Sequence, residues 1–281
     1  MTIRNYRSQF IQTLTSLYDA EEAESFFYLV LENRHQMKRV DLALNPELEF
    51  SESQIHEFNE IRKKLERHIP IQYILGTTSF YGLDFAVNEH VLIPRPETEE
   101  LVAWILSANK SSAPLKILDI GTGSGCIAIA LAKNFPNAQV FAIDVSENAL
   151  IIAKTNAINN AVSVNFLQKD ILKTDSLAEQ FDIIVSNPPY VRQLEKAEIK
   201  ENVLEHEPHL ALFVEDNDAL IFYRKITDLA LKTLNPNGQL YFEINQYLGA
   251  QMIHLLAQKD FSGVELRKDI YGNDRMIFGK V

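Results

Sequence analysis

Cysteine is almost absent from this chain: Cys126 is the only one in 281 residues. That excludes an internal disulfide and a cysteine zinc cluster, and it fits a reducing cytoplasm. Cys126 stands where an apolar helical run starts, and it reads as a small packing residue. No apolar run reaches ~18 residues, so no membrane-spanning helix is expected, and Met1 to Phe10 holds no signal-like hydrophobic segment. A cytoplasmic protein without membrane association is expected. Cations are in the minority, with 27 Lys and Arg against 38 Asp and Glu and a formal net charge of −11. This balance argues against a protein that wraps bare nucleic acid, because such affinity comes mainly from clustered Lys and Arg. The local cluster Arg62-Lys63-Lys64 with Arg67 reads as the solvated face of a helix. Repeats and low-complexity tracts are missing. So is a metal signature: His206-Glu207-Pro208-His209 lacks the His-Glu-x-x-His spacing of zinc sites, and Pro208 interrupts the helical turn it would need. No metal is expected.

What is there concentrates at a few strand ends. Phe181 to Val185 is a short apolar, β-branched run, which predicts a strand buried in a parallel sheet. Ser186-Asn187-Pro188-Pro189-Tyr190 follows at its carboxyl end, where open α/β sheets place ligands. The two prolines fix φ and remove two backbone donors, leaving the Pro188 carbonyl free to accept from a ligand. A carboxamide, a free carbonyl and an aromatic ring together suit the gripping of a planar NH₂ group.

A second half of the site is expected upstream. Leu115 to Ile120 predicts a strand and Cys126 to Ala132 an apolar helix, with Gly121-Thr122-Gly123-Ser124-Gly125 between them. The glycines let the backbone turn sharply and approach a ligand closely. The third comes one residue too early for G-x-G-x-x-G, which points away from a dinucleotide. Gln139 to Ile143 predicts a further strand ending at Asp144, about 20 residues beyond the loop, where an acid can accept from ribose hydroxyls. Val162 to Leu167 predicts another, followed by Asp170. Singly, each acid reads equally as a helix cap, and a glycine loop as helix packing. In series they end successive strands on one sheet edge.

At this point the chain resembles a known family. Asp119 to Gly125, Asp144, Asp170 and Asn187-Pro188-Pro189-Tyr190 look like the S-adenosylmethionine and substrate motifs of the Rossmann-like amino methyltransferases. Val91-Leu92-Ile93-Pro94-Arg95-Pro96-Glu97-Thr98-Glu99, Glu207-Pro208 and Gly272-Asn273-Asp274-Arg275-Met276 resemble, more narrowly, the peptide chain release factor glutamine methyltransferases. The resemblance implies an α/β fold: a Rossmann-like methyltransferase sheet, mostly parallel with an antiparallel last strand, and a small N-terminal helical domain joined by a β-hairpin. It implies S-adenosyl-L-methionine as cofactor, S-adenosyl-L-homocysteine as product, and class 1 release factors as protein substrate, methylated at N5 of the glutamine in a Gly-Gly-Gln loop. Carried over residue by residue, cofactor contacts fall on Gly121, Thr122, Gly123, Ser124, Gly125, Asp144, Asp170 and Asn187. Substrate contacts fall on Asn187, Pro188, Pro189 and Tyr190, with Asn187, Pro188 and Tyr190 as the catalytic set. No direct nucleic-acid dependence and a monomer are expected. Two departures stand out: Leu172 replaces an aromatic found in many relatives, and Val214 to Leu220 replaces a Gly-x-Asp-Gly-Leu segment.

Three regions are expected along the chain. Residues 1–75 read as helices, with Leu14, Leu17 and Tyr18, then Phe26, Phe27, Val30 and Leu31, at helical spacing and a cap at Ser51; this is read as a substrate-recognition domain. Residues 76–93 read as a β-hairpin linker, and residues 94–281 as the methyltransferase domain, whose first helix starts after Pro94 and Pro96 with acids in its first turn. The polar stretch from Val191 to about Asp218 is longer than a usual crossover and reads as a lid or binding loop.

The chemistry expected follows from amide resonance, which withdraws the nitrogen lone pair and makes it a poor nucleophile. If Asn187 Oδ1 and the Pro188 carbonyl each accept one N–H, the nitrogen is held and aimed, and Tyr190 against the carboxamide plane excludes water. Two rival readings remain: a nucleic-acid amino methyltransferase acting on adenine N6 or cytosine N4, which needs base flipping and a basic channel, and a non-catalytic binding protein that retains the fold.

Overall fold

A computed structural model describes residues 1–110 and 114–281. The chain forms two compact units, one made of residues 1–76 with Lys200–His206, the other of residues 77–199 with 207–281.

The first unit holds α1 (Ile3–Leu14), α2 (Ala20–His35), α3 (Arg39–Leu44), α4 (Glu52–Leu65) and α5 (Ile71–Leu75). Local chemistry explains their starts. Asp19 accepts from the Glu22 N–H at 2.7 Å, and Ser51 and Gln54 satisfy each other's backbone donors in a capping box. Aromatic residues dominate the core, where the rings of Phe10, Phe27, Phe50 and Phe58 pack against one another. Arg62 and Lys63 are paired with Glu66 and Glu60 on the α4 surface, as expected of a solvated face. The segment Lys200–His206 joins this unit although it lies far along the chain; His206 Nε2 sits 2.9 Å from the Arg67 carbonyl oxygen.

The second unit opens with β1 (Thr77–Phe80) and β2 (Leu83–Ala86), an antiparallel hairpin whose turn places Tyr81 and Gly82 in the left-handed region. It is shorter than the stretch 76–93 and groups with this unit. Next come α6 (Pro96–Ala108), β3 (Lys116–Ile120), α7 (Cys126–Asn134), β4 (Gln139–Asp144), α8 (Glu147–Asn159), β5 (Asn165–Gln168) and β6 (Phe181–Ser186). The stretch read as one long loop carries β7 (Val191–Arg192), α9 (Glu201–His206, counted with the first unit), α10 (His209–Leu212) and β8 (Phe213–Val214). The chain closes with α11 (Ile221–Thr233), β9 (Leu234–Glu243), α12 (Gly249–Gln258), β10 (Ser262–Lys268) and β11 (Asp274–Lys280).

Seven of these strands form one sheet in the order β10-β11-β9-β6-β3-β4-β5. The pairs from β9 through β5 are parallel, and only β11 runs against its neighbours. This is the α/β sheet with one reversed strand that the resemblance implies. Alternate residues of each central strand enter different layers: Ile117, Ile183 and Val185 pack with α6 and α7, while Leu118, Ile120 and Ile184 pack with α11 and α12. Burial on both faces is why these strands read as continuous apolar runs. Edge strand β5 is shorter than expected, since Val162 donates its N–H to Ala157 O at 3.1 Å and Ala161 has φ 53°, so residues 161–162 terminate α8 instead of pairing. Among the described residues no helix is long and apolar enough to cross a membrane.

The sheet order reverses at β3, whose neighbours β4 and β6 lie on opposite sides. Such a switch point leaves a crevice at the carboxyl ends of the strands. Register brings those ends level: Ile120 pairs with Ile143 on one side and Ser186 on the other, and Asp144 pairs with Gln168.

Candidate active site

A cavity of about 260 Å³ opens at this switch point, roughly twenty times the space one water needs. Gly121, Gly123, Asp144, Asp170, Asn187, Pro188 and Pro189 all line it, so residues predicted from four separate strand ends share one site. Thr122, Ser124 and Gly125 are not in the lining, and the structure gives each of them other partners. The Thr122 hydroxyl donates to buried Asp119 at 2.6 Å. The Ser124 carbonyl accepts from Asn156 Nδ2 at 2.9 Å. Gly125 has φ 84°, and a Cβ there would lie 2.9 Å from Ile129 Cδ1 and 3.1 Å from Ala153 Cβ. The third glycine therefore lets α7 and α8 pack, the role set beside the ligand reading in the sequence.

The loop is pinned to β4 from both sides. Gly121 and Thr122 donate their N–H groups to the Ile143 carbonyl at 2.9 and 3.1 Å. Asp144 Oδ2 accepts from the Gly123 N–H at 2.8 Å and Oδ1 from the Ser146 N–H at 2.9 Å. A carboxylate offers about four lone-pair sites, so Asp144 keeps acceptor capacity toward the cavity. Burial pushes its pKa up. Asp119 behind the loop is fully buried, and desolvation pushes its pKa up to about 7, against the hydrogen bond from Thr122. Asp170 is the opposite case: Lys173, 3.0 Å away, lowers its pKa, and its Oδ1 accepts from the Leu172 N–H as a local cap. Leu172 lines the cavity beside it.

On the β6 side, the Ser186 hydroxyl donates to the Ile120 carbonyl at 2.7 Å and ties the two strand ends together. Asn187 Nδ2 donates to Thr98 Oγ1 at 3.3 Å, and Thr98 donates to Glu243 Oε2 at 2.6 Å. The Tyr190 hydroxyl donates to the other oxygen, Oε1, at 3.0 Å and accepts from Arg275 Nη1 at 3.4 Å. Arg275 in turn pairs with buried Asp269 at 3.1 Å. Glu243 is 1% exposed, and burial raises its pKa; burial likewise raises that of Tyr190. Tyr190 is thus not in the cavity lining, and its hydroxyl is anchored inward by Glu243.

Two residues left without a role in the sequence acquire one. Arg95 Nη2 donates to Glu207 Oε1 at 2.6 Å, and Glu207 Oε2 accepts from the Ile93 N–H at 3.2 Å. The His-Glu-Pro-His stretch therefore supplies a buried carboxylate that clamps the segment before α6. Thr98 stood in a quoted motif without a role, and Glu243 and Asp269 were not singled out in the sequence at all. A signal was available for Glu243, a lone acid inside the apolar run Leu240-Tyr241-Phe242-Glu243-Ile244, since a buried charge needs partners.

Residues 6–76 match the family model described as PrmC N-terminal domain, and residues 100–211 match the Methyltransferase small domain. The chain is 62% identical over 280 residues to a release factor glutamine methyltransferase of Flavobacterium psychrophilum, covering 99% of this chain and 98% of the relative. It is 43% identical over 267 residues to the protein of that name from Bacteroides thetaiotaomicron, with 95% of each chain covered. Among solved structures, a methyltransferase from Pyrococcus furiosus superposes with a TM-score of 0.53 at 19% identity, covering 79% of this chain and 98% of that one.

Proposed function

Because the chain belongs to the release factor glutamine methyltransferase family, we propose that it transfers a methyl group from S-adenosyl-L-methionine to N5 of the glutamine in the Gly-Gly-Gln loop of class 1 release factors. The observation that carries this reading is the pairing of Ile120 with Ser186, which sets the glycine loop and the Asn-Pro-Pro-Tyr loop side by side on one cavity. One loop suits a cofactor and the other an amide.

Gly121 and Gly123 give the cavity a wall without side chains, and Asp144 supplies acceptors for ribose hydroxyls. Asp170 and Leu172 line the same cavity and would flank the adenine of a bound cofactor, with an aliphatic side chain where many relatives have a ring. The cofactor, when bound, contributes an electrophilic methyl on a sulfonium. Everything else is positioning. Asn187 Oδ1 and the Pro188 carbonyl accept the two N–H groups of the glutamine carboxamide, fix its plane and aim the nitrogen. Orientation of this kind is worth up to ~7–11 kcal/mol in well-ordered systems. After transfer the nitrogen is cationic and acidic, so a proton leaves through the same acceptors to water. The chemistry asks for acceptors only and requires no metal. The helical unit serves as the recognition module for the factor, which makes a folded factor a better substrate than a free loop peptide that must be ordered at about 1–2 kcal/mol per residue.

Incubation with labelled S-adenosylmethionine and either release factor or DNA tests this. Label is expected on the factor, removable by glutamine-to-alanine substitution in its loop, and none on DNA. Label on DNA alone would establish the nucleic-acid reading instead.

A further inference from the structure

The Asn187 carboxamide is useful to an amide substrate only one way round. Its Oδ1 must face the cavity, because an NH₂ there would meet the substrate's own N–H groups. Nothing within Asn187 enforces this, since its two ends are nearly equal in size and shape. The structure holds a group that does. Thr98, 2% exposed in the first turn of α6, touches Asn187 Nδ2 from behind and does not line the cavity. Its oxygen lies 2.6 Å from Glu243 Oε2, in the range of a hydroxyl donating to a carboxylate. Glu243 sits at the end of β9, and the register of Ser186 with Phe242 places it beside Asn187. Its two oxygens accept from two hydroxyls, Thr98 and Tyr190, and Arg275 supplies the neighbouring positive charge.

We infer that Thr98 is a positioning residue, held by Glu243 so that its oxygen can only accept, which obliges Asn187 to turn its NH₂ toward Thr98 and its Oδ1 toward the substrate. A threonine hydroxyl has one hydrogen. With Glu243 ionised beside Arg275 and that hydrogen committed to it, an Asn187 oxygen facing Thr98 would put two lone pairs together, whereas an NH₂ completes the chain. The inference rests on the amide-acceptor reading of Asn187 given above.

The test is a pair of changes at Thr98 read by activity and by side-chain NMR. Thr98→Val keeps the shape and removes the acceptor, so kcat on release factor is expected to fall at least about tenfold while cofactor affinity stays within about twofold; Thr98→Ser restores kcat. In the Asn187→Asp background both oxygens accept and no orientation remains to be set, so Thr98→Val is expected to cost less than about threefold there, a non-additivity that a merely structural role does not give. In the full-length protein, nuclear Overhauser contacts should join the Asn187 NH₂ to the Thr98 methyl, and Thr98→Val should abolish the single orientation. Equal costs of Thr98→Val in both backgrounds, or an Asn187 amide whose orientation ignores residue 98, overturns the inference. The NMR reading does not depend on any substrate, so a protein that holds the amide as described but methylates no release factor would overturn the proposed function and leave this inference standing.

Discussion

The two halves of the site are built on different length scales. In the glycine-loop half the polar groups are satisfied nearby: Thr122 bonds Asp119 three residues away, Ser146 bonds Asp144 two residues away, and Gly123 reaches Asp144 across 21 residues. In the Asn-Pro-Pro-Tyr half the partners are remote. Asn187 and Thr98 are 89 residues apart, Tyr190 and Glu243 are 53 apart, and Thr98 and Glu243 are 145 apart. The first half is the unit β3-loop-α7-β4, contiguous in sequence, in which the second strand pins the loop of the first. The second is a short stiff loop whose side chains are aimed by buried groups from α6, β9 and β11. The cavity thus joins a loop held by partners close in sequence to one held by partners that only the assembled sheet brings near.

The largest expected effect lies in the cradle and is on stability. Asp119 has a folded pKa of about 7, above the usual aspartate value, so the folded protein holds the extra proton and stability declines as pH rises from about 4 through about 7. Asp119→Asn removes this titration. The melting difference between variant and wild type should therefore move in the variant's favour from pH 4 to pH 8, by on the order of 4 kcal/mol at about 1.4 kcal/mol per pKa unit. A difference that does not change with pH breaks the picture of a buried, proton-holding Asp119 under the loop.

Next comes the acceptor half, where function and stability should separate. Asn187→Ala is expected to cut methyl transfer by about tenfold to a hundredfold with little change in melting temperature, since loss of one buried acceptor costs ~1–3 kcal/mol and misaiming adds to it. Asn187→Asp should keep partial activity. If the aspartate and alanine variants were equally inactive, acceptance of amide protons would not be what this residue does.

Asp144→Ala probes the cradle as a binding element. Loss of hydrogen bonds to a charged group is worth about 1.5–3 kcal/mol, so titration calorimetry should find S-adenosylmethionine bound at least about tenfold more weakly. Unchanged affinity would confine Asp144 to tying Gly123 and Ser146. The smallest effect is expected at Gly125, where Gly125→Ala combines a left-handed φ with a contact 2.9 Å from a flexible Ile129 methyl. About 1–3 kcal/mol of stability should be lost in denaturant unfolding, with kcat retained in the folded fraction; loss of cofactor affinity without loss of stability would return Gly125 to the binding surface.

Legibility followed the same division. The strands before Gly121, Asp144 and Asn187 are continuous apolar runs because helices cover both faces of the sheet, and their ends are marked by glycine, aspartate and proline for reasons local to the backbone. Val162 misled because an apolar β-branched residue that caps a helix looks, in sequence, like one that starts a strand. The anchoring of the Tyr190 hydroxyl was not legible, because its partners Glu243 and Arg275 lie 53 and 85 residues away in the chain. The connection after Tyr190 read as one long lid or binding loop because α9, α10, β7 and β8 have six residues or fewer and little periodicity to detect.

By itself, then, the chain determined what depends on neighbours in sequence: apolar strands and helices in alternation, the helical first unit, and the glycine and proline turns that end two of the strands. Only the tertiary structure decided what depends on distance. It set the register that levels Ile120 with Ser186 and gathered Thr98, Glu243 and Arg275 behind the acceptor. It also drew Lys200–His206 into the first unit. The physical reason is that backbone geometry is imposed by each residue and its neighbours, whereas the direction of a buried hydrogen bond is imposed by whichever group the fold brings to its other end.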